Sequence, residues 1–185
     1  MYVDAGVKIE PKIALLMCSA IISDTLIFRS PTCTEMDREA GKALAEIAGI
    51  NIKEHAHEMF FAGSNISEKT AKELFTGDFK RFSIGDTTFG IGQVSCMDGE
   101  ELDQVKKKVM TYMKEQYKSL GVNMLYFMLT DIIKPGTELL CVGDGAMELV
   151  ERAFGVQGSD DVVYLPGVVS RKKQFLPAIV EALQQ

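Results

Sequence analysis

Strand patterns alternate with helical patterns through the last two thirds of the chain, and this alternation limits the possible folds more than any other feature. Two β-rich runs, 79–84 and 88–94, flank a Gly85-Asp86 turn, which is typical of a β-hairpin. Further along, the pattern predicts a helix to about residue 120, strands at 122–129 and 138–142, a helix at 146–154, a strand at 162–165 and a last helix. A hairpin followed by alternating elements indicates an α/β fold with a mixed β-sheet.

The first 63 residues show helical patterns instead. Pro11 suits the first turn of a helix, and an apolar run continues this helix to about Phe28. Because the run is apolar on nearly every side, we expect the helix to be buried between layers. Thr34, with Asp37 three residues later, predicts the cap of a second helix that ends at Gly49.

A third helix is predicted over about 52–62, and the small, polar segment that follows it is typical of an interdomain linker. We expect Ser67 to cap the next helix and Asp98, with Glu101, to cap the long helix that ends near residue 120. The sequence therefore predicts three parts: a helical segment at 1–63, a linker at 64–67 and an α/β domain at 68–185.

Composition excludes several classes of function. The net charge of −6 argues against a basic surface for nucleic acid, so a small anion is the better candidate for any basic site. The apolar run 13–22 is far shorter than the roughly 20 residues of a membrane span, and no targeting segment is evident, so no membrane partner is expected. Four cysteines without CxxC spacing indicate reduced thiols in a cytoplasmic protein.

A basic run near the C-terminus is the first candidate site. The sequence Val168-Val169-Ser170-Arg171-Lys172-Lys173-Gln174 places three cations after a β-branched stretch and before a helical pattern. A strand end, a basic turn and a helix start, in that order, offer free N–H groups and charge-assisted donors to a phosphate. For a triplet considered alone, a solvated basic turn is the more common alternative.

Asp24 is the second candidate, because it follows the apolar run 13–22. A carboxylate near the end of a buried helix is costly unless it is paired, hydrogen-bonded or bound to a metal. From the residues alone, Asp24 has two possible roles, a structural hydrogen-bond acceptor or a metal ligand. The two histidines, His55 and His57, fall inside a helical pattern, where positions i and i+2 face different sides. We therefore predict a solvated pair there and not a metal site.

Together the motifs resemble those of the family II, manganese-dependent inorganic pyrophosphatases of the DHH phosphoesterase superfamily. The specific matches are Ser-Asp-Thr-Leu-Ile-Phe-x-Ser-Pro-Thr-x-Thr at 23–34 and Val-Val-Ser-Arg-Lys-Lys-Gln at 168–174. Supporting matches are Asp-Phe-Lys-x-Phe at 78–82, Gly-Gln-Val at 92–94 and Thr-Asp-Ile at 130–132. The resemblance covers the last helices of a DHH domain (1–63) and a complete DHH-associated C-terminal domain (68–185).

The resemblance implies a role for four residues. Asp24 corresponds to a ligand of one of two catalytic metals, manganese in the first place, with cobalt or magnesium as alternatives. Lys80, Arg171 and Lys172 correspond to the cations that bind pyrophosphate. Such a division is physically sensible, because two metals can activate a water while Arg and Lys neutralise the leaving phosphate. With the metal ligand on one domain and the cations on the other, catalysis would require the domains to close over the substrate.

The family's other metal ligands come from a His-x-x-x-Asp-x-Asp motif, a later Asp and an Asp-His-His motif, and neither of these two histidine motifs occurs in this sequence. We therefore predict the C-terminal part of a pyrophosphatase, with no complete catalytic set, inactive alone but able to bind pyrophosphate or phosphate. The apolar segment 13–28 predicts a homo-oligomer. Two alternatives stay open, an exopolyphosphatase-type DHH phosphoesterase and a non-catalytic anion-binding or interaction module.

Overall fold

The computed structural model describes residues 2, 5–64, 66, 68–96 and 99–184. It divides into two compact units, Met1–Gly63 (unit 1) and Ser64–Gln185 (unit 2). Three helices make up unit 1: α1 (Pro11–Asp24), α2 (Glu35–Ala48) and α3 (Ile52–Ser64), whose last residue is the first of unit 2. In chain order, unit 2 contains α4 (Ala71–Gly77), β1 (Phe79–Ile84), β2 (Thr87–Cys96), α5 (Gly99–Leu120), β3 (Met124–Asp131), β4 (Gly136–Val142), α6 (Ala146–Phe154), β5 (Val162–Pro166) and α7 (Leu176–Gln184).

The strands of unit 2 form one sheet in the order β1-β2-β3-β4-β5. Strands β2 and β3 pair in parallel, with α5 as the crossover between them, and the other three pairs are antiparallel. The predicted α/β fold with a mixed sheet is therefore confirmed. In the hairpin, Lys80 pairs with Ile91, which places this lysine on an edge strand.

Helices cover both faces of the sheet. Along β3, Tyr126 and Met128 lie in one hydrophobic cluster, while Leu125 and Phe127 lie in the other, as the period of two in a strand requires. The first cluster includes side chains from α6 and α7, and the second includes side chains from α4 and α5. Burial on both faces explains why β3 is a continuous apolar run.

The first helix of unit 2 begins later than the sequence indicated. Helix α4 is capped by Thr70, whose Oγ1 accepts a hydrogen bond from the Glu73 N–H, while the Glu73 carboxylate accepts one from the Thr70 N–H. The prediction that Ser67 caps this helix is therefore wrong, and Ser67 itself lies outside the described residues. Asp98, the predicted cap of α5, also lies outside them.

Helix α1 ends at Asp24, four residues before the predicted end at Phe28. The Thr25 hydroxyl donates to the carbonyl of Ile21 and accepts from the Phe28 N–H, and this replaces the next helical turn. Leu26, Ile27 and Phe28 then adopt φ angles of 48°, 55° and 62°, in the left-handed region. The apolar pattern continues through this turn because Ile27 still packs against the core of unit 1, so hydrophobicity alone did not indicate the break.

The burial of α1 is confined to one side. Ala14, Cys18 and Ile22, spaced four residues apart, are fully buried against residues of α2 and α3. Leu16, by contrast, is 66% exposed, and Ile13 is 38% exposed. Within unit 1 the expected burial between layers is therefore seen on one side of α1 only, because α2 and α3 cover one of its faces.

Among the described residues, no helix combines the length and the hydropathy that crossing a membrane requires.

Candidate anion-binding site

The basic run forms a closed turn after β5. Ser170 caps one turn of π-helix, Arg171–Phe175, and its Oγ accepts a hydrogen bond from the Lys173 N–H at 3.2 Å. The Gln174 side-chain oxygen accepts from the N–H groups of Val169 and Ser170, at 2.9 and 3.0 Å. The π-helical turn continues directly into α7. Ser170 and Gln174, on either side of the three cations, thus fix the backbone that carries them.

A chain of polar side chains, half-buried at Gln93 and buried at Thr130 and Thr137, anchors this turn to the sheet. The Gln93 amide donates to the carbonyl of Val169 at 3.0 Å and to the Thr130 hydroxyl at 3.1 Å. Thr137 donates to the carbonyl of Val168 at 2.6 Å. Because that bond uses the only hydroxyl hydrogen of Thr137, the 3.1 Å contact between the two threonines has Thr130 as its donor. The hydrogen bonds therefore run in one direction, from β2 through β3 and β4 to the basic turn.

Arg171 is the buried member of the basic run, with 7% of its surface exposed. One terminal nitrogen, Nη1, donates to the backbone carbonyls of Asp78 and Ile91, at 2.7 and 3.1 Å. The other, Nη2, donates to the Asp78 carboxylate at 2.7 Å. The guanidinium thus joins the basic turn to the start of β1 and to the middle of β2.

Lys80 lies beside this pair. Its Nζ is 4.0 Å from Asp78 Oδ1, the same oxygen that Arg171 contacts, so the two cationic nitrogens are closer together than the sum of these two distances. That separation is within the roughly 10 Å that a shared pyrophosphate allows. Lys172 is the next residue after Arg171, and its side chain is exposed. The structure therefore brings Lys80 and Arg171 together around Asp78, with Lys172 adjoining them along the chain.

Asp24 belongs to unit 1, where it is the last residue of α1, and its side chain is exposed. The left-handed turn that follows it is held by α2. The Arg38 guanidinium donates to the carbonyl of Phe28 at 2.8 Å and lies 5.9 Å from the centroid of its ring. A side chain at Gly41 would meet the same ring, since an added Cβ would lie 2.7 Å from Phe28 Cζ. The conformation after Asp24 is thus fixed by close packing.

Residues 57–182 match the DHHA2 domain family. The chain belongs to this family. It is 45% identical, over its full length, to the "probable manganese-dependent inorganic pyrophosphatase" of Clostridium acetobutylicum, of which it covers 59%. It is also 41% identical, over 98% of its length, to the cobalt-dependent inorganic pyrophosphatase of Clostridium perfringens, of which it covers 33%.

Structural comparison agrees. The crystal structure of the Methanococcus jannaschii protein assigned to the family II inorganic pyrophosphatases matches 96% of this DHHA2 chain with a TM-score of 0.82 and 41% sequence identity. The chain covers 58% of that protein, and it spans 60% or less of the curated relatives just described. The resemblance to family II pyrophosphatases that the motifs predicted is confirmed over the whole length of the chain.

The names of the two relatives above include manganese and cobalt, and such a metal needs several oxygen, nitrogen or sulfur ligands from the protein. Within the described ranges, no three His, Cys, Asp or Glu side chains are grouped so that they could hold an ion. Asp24 offers one exposed carboxylate, whereas a dinuclear centre needs several ligands for each metal. The described residues by themselves therefore do not fit the metal centre.

The two histidines have different surroundings. His57 is exposed, and its ring stacks on Phe61 at 6.3 Å between centroids, in agreement with a solvated position. His55 is partly buried, and its Nε2 lies 2.7 Å from the Ser19 hydroxyl, which links α3 to α1. The prediction of a solvated pair is thus right for His57 and wrong for His55, because the face of α3 that carries His55 packs on α1.

Sequence reasoning assigned no role to the polar residues that support the basic turn in this DHHA2 domain. Gln93, Thr130 and Thr137 anchor the turn, and Asp78 pairs with two of the predicted cations, Arg171 in the turn and Lys80 on β1. Three of these residues, Asp78, Gln93 and Thr130, lie in motifs that were used only as supporting matches. The available signal was their polarity within otherwise apolar strands, since buried polar groups need partners.

Proposed function

We propose that this chain is the pyrophosphate-binding part of a metal-dependent inorganic pyrophosphatase, which converts pyrophosphate and water to two phosphates. The main support is the meeting of Lys80 and Arg171 at one edge of the sheet, beside the exposed Lys172, in a chain of net charge −6. We infer the substrate, pyrophosphate, from the names of the relatives, and we infer the cofactor from the manganese or cobalt in those names. Unit 1 would form the end of a DHH domain and unit 2 the DHH-associated domain.

The described residues can explain how pyrophosphate is bound, but they do not by themselves explain how it is hydrolysed. Lys80 and Lys172 are exposed point charges that can reach pyrophosphate oxygens, and the buried Arg171 guanidinium, whose terminal nitrogens already donate to the domain, adds a positive charge beside them. When bound, two metal ions supply the activated water in enzymes of this chemistry. Asp24 would contribute one carboxylate to that centre, which needs several ligands for each metal. We therefore expect the chain alone to bind pyrophosphate without hydrolysing it.

Calorimetry with pyrophosphate at low ionic strength tests the binding site. Lys80→Ala and Lys172→Ala should each weaken binding about tenfold, because each removes one charge-assisted contact. Lys107→Ala is the matched control, since Lys107 is an exposed lysine on α5 and its loss changes the net charge equally. Equal affinities for all four proteins would contradict the proposed site.

Phosphate release in the presence of manganese tests the second expectation, and it should stay at background. Turnover above about 1 s⁻¹, at the low end of enzyme rates, that is lost in Asp24→Ala would show that the other ligands are not needed. Tripolyphosphate bound more tightly than pyrophosphate would favour the exopolyphosphatase alternative. Binding of neither anion would favour an interaction module.

We also infer that the chain forms a homo-oligomer through α1, within segment 13–28. The support is the apolar surface that this helix leaves open at Ile13 and Leu16. Light scattering at micromolar concentration should show a dimer or larger species that Leu16→Lys converts to a monomer. Met36→Lys is the control, because Met36 is 77% exposed on α2 and outside the proposed interface. A monomeric parent chain would contradict the inference.

A cytoplasmic location is the last part of the proposal. Its support is that none of the four cysteines forms a disulfide bond among the described residues: Cys18, Cys33, Cys96 and Cys141. Fractionation of cells with an antibody against the chain tests this location, and recovery outside the cytoplasm would contradict it.

A further inference from the structure

Asp78 is a carboxylate placed among cations that are proposed to bind an anion. It follows the last residue of α4 and immediately precedes β1. Its Oδ1 accepts a hydrogen bond from Arg171 at 2.7 Å and lies 4.0 Å from Lys80 Nζ. The Asp78 side chain is 48% exposed, whereas that of Arg171 is 7% exposed. An anion that approaches Lys80 from solvent therefore meets a negative charge at close range.

Such an arrangement is unexpected for a site that only has to bind tightly. The buried arginine needs a partner, but it already has the carbonyls of Asp78 and Ile91 as acceptors. The carboxylate adds a full negative charge, which lowers the positive potential that Lys80, Arg171 and Lys172 create together. A lower potential weakens the binding of every anion in proportion to its charge.

We propose that Asp78 is a built-in counterion that limits anion affinity at the cation site, so that product phosphate is released after hydrolysis. The inference rests on the proposed function. Asp78 holds Arg171 in position through its side chain and its backbone, and its charge opposes retention of phosphate. It acts through the two cations, so it is a positioning residue and not a catalytic one.

Asp78→Asn tests the charge while keeping an oxygen that can accept the hydrogen bond from Arg171. Calorimetry should be done on the whole chain with inorganic phosphate and with pyrophosphate, without metal and at about 0.1 M ionic strength. At a separation of about 5–7 Å, loss of one negative charge should tighten phosphate binding about threefold to fivefold and pyrophosphate binding about tenfold. The larger effect on pyrophosphate follows from its higher charge, and a purely structural role would not produce it.

Asp86→Asn is the matched control. Asp86 is exposed in the turn at the far end of β1, about 20 Å from Asp78 along the strand, and its substitution changes the net charge equally. It should change either affinity by less than about twofold. Asp78→Glu retains the charge and should bind both anions within about twofold of the parent chain.

The outcomes separate this inference from the proposed function. If the parent chain binds and the lysine variants weaken binding, but Asp78→Asn binds no more tightly, the counterion role is wrong and the anion site stands. If neither the parent chain nor Asp78→Asn binds either anion, both proposals are wrong. If Asp78→Asn does not fold, the ¹³Cγ resonance of Asp78 in the parent chain decides. It should shift when pyrophosphate is added, and an unchanged resonance in a chain that binds pyrophosphate would overturn the inference.

Discussion

The two units of this chain bury apolar surface in different ways. Unit 2 places hydrophobic clusters on both faces of its sheet, with fifteen buried residues described in one and thirteen in the other. The described cluster of unit 1 contains six buried residues, none of them aromatic. Hydrophobic stabilisation grows with buried apolar area. We therefore expect unit 2 to be stable by itself and unit 1 to gain much less hydrophobic stabilisation.

The exposed apolar side chains follow the same division. Unit 1 leaves five large ones open on its three helices: Ile13, Leu16, Met36, Ile47 and Phe61. In unit 2 the corresponding residues are Ile133 and Tyr164. The sheet unit therefore covers its large apolar side chains more completely, whereas the helical unit presents surface that another protein segment could cover. The polar network of the candidate anion site also lies in the better-packed unit.

The largest effect is expected from a matched pair of core substitutions. Ile22 in unit 1 and Ile91 in unit 2 are both fully buried. We expect Ile91→Ala to lower the free energy of unfolding of unit 2 by about 4 kcal/mol, because the paired strands around it cannot collapse into the cavity. Ile22→Ala should cost unit 1 only about 2 kcal/mol, since three helices can shift to fill the space.

Hydrogen exchange resolved by peptide separates the two effects, because it reports the stability of each unit on its own amides. The parent chain should already show slower exchange in β2 and β3 than in α1. Faster exchange in the sheet than in the helices would contradict the difference in stability between the units. A larger loss of unfolding free energy for Ile22→Ala than for Ile91→Ala would contradict it as well.

A smaller effect is expected from the polar network. Thr137 is 1% exposed and links Thr130 to the backbone of Val168. Thr137→Val keeps the shape but leaves that carbonyl without its donor, which should cost unit 2 about 1–3 kcal/mol. Because the basic turn loses an anchor, pyrophosphate binding should also weaken by about threefold.

Thermal unfolding and calorimetry measure the two consequences of Thr137→Val. Thr111→Val is the control, since the Thr111 hydroxyl bonds only within an exposed turn of α5. An unchanged pyrophosphate affinity in a destabilised Thr137→Val protein would show that the network supports the fold without orienting the site.

Local patterns predicted the sheet unit well. The bounds of β1 and α6 agree with the sequence prediction, because a period of two and a period of 3.6 are visible within single elements. The sequence pattern did not predict the end of α1, because this end depends on the Thr25 hydroxyl and on the packing of Phe28 against Gly41 of α2. The Thr25 hydrogen bonds are local but leave no periodic signal, and the Gly41 contact joins α2 to the turn that follows α1.

The candidate anion site shows the same limit of sequence-based prediction. The basic turn and Lys80 were found from motif residues, and the structure brings Lys80 close to Arg171. The burial of Arg171 and its partnership with Asp78 were not predicted, because 93 positions separate the two residues. The sequence showed that the site contains cations, whereas only the folded structure shows which carboxylate each cation contacts.

The smallest effect is expected from two matching helix caps. Thr34 caps α2 in unit 1 and Thr70 caps α4 in unit 2, each through a reciprocal capping box. Replacing either threonine by alanine should cost its own unit about 1 kcal/mol at neutral pH. Equal costs would remove a larger share of the stability of unit 1, so Thr34→Ala should increase hydrogen exchange throughout α1 and α2. Thr70→Ala should affect α4 only.

The caps should also respond to pH in a defined direction. Hydrogen bonds from the Thr34 backbone and hydroxyl lower the pKa of Asp37 below its ordinary value of 3.8, and those from Thr70 lower the pKa of Glu73 below 4.5. A depressed pKa in the folded state stabilises the protein above the ordinary pKa, and this contribution is lost as the pH falls through the folded value. The cost of each alanine variant should therefore shrink on acidification, beginning at higher pH for Thr70 than for Thr34. A cost that stays constant from pH 7 to about pH 3 would show that the carboxylates add nothing to the caps, and that the threonine hydroxyls act alone.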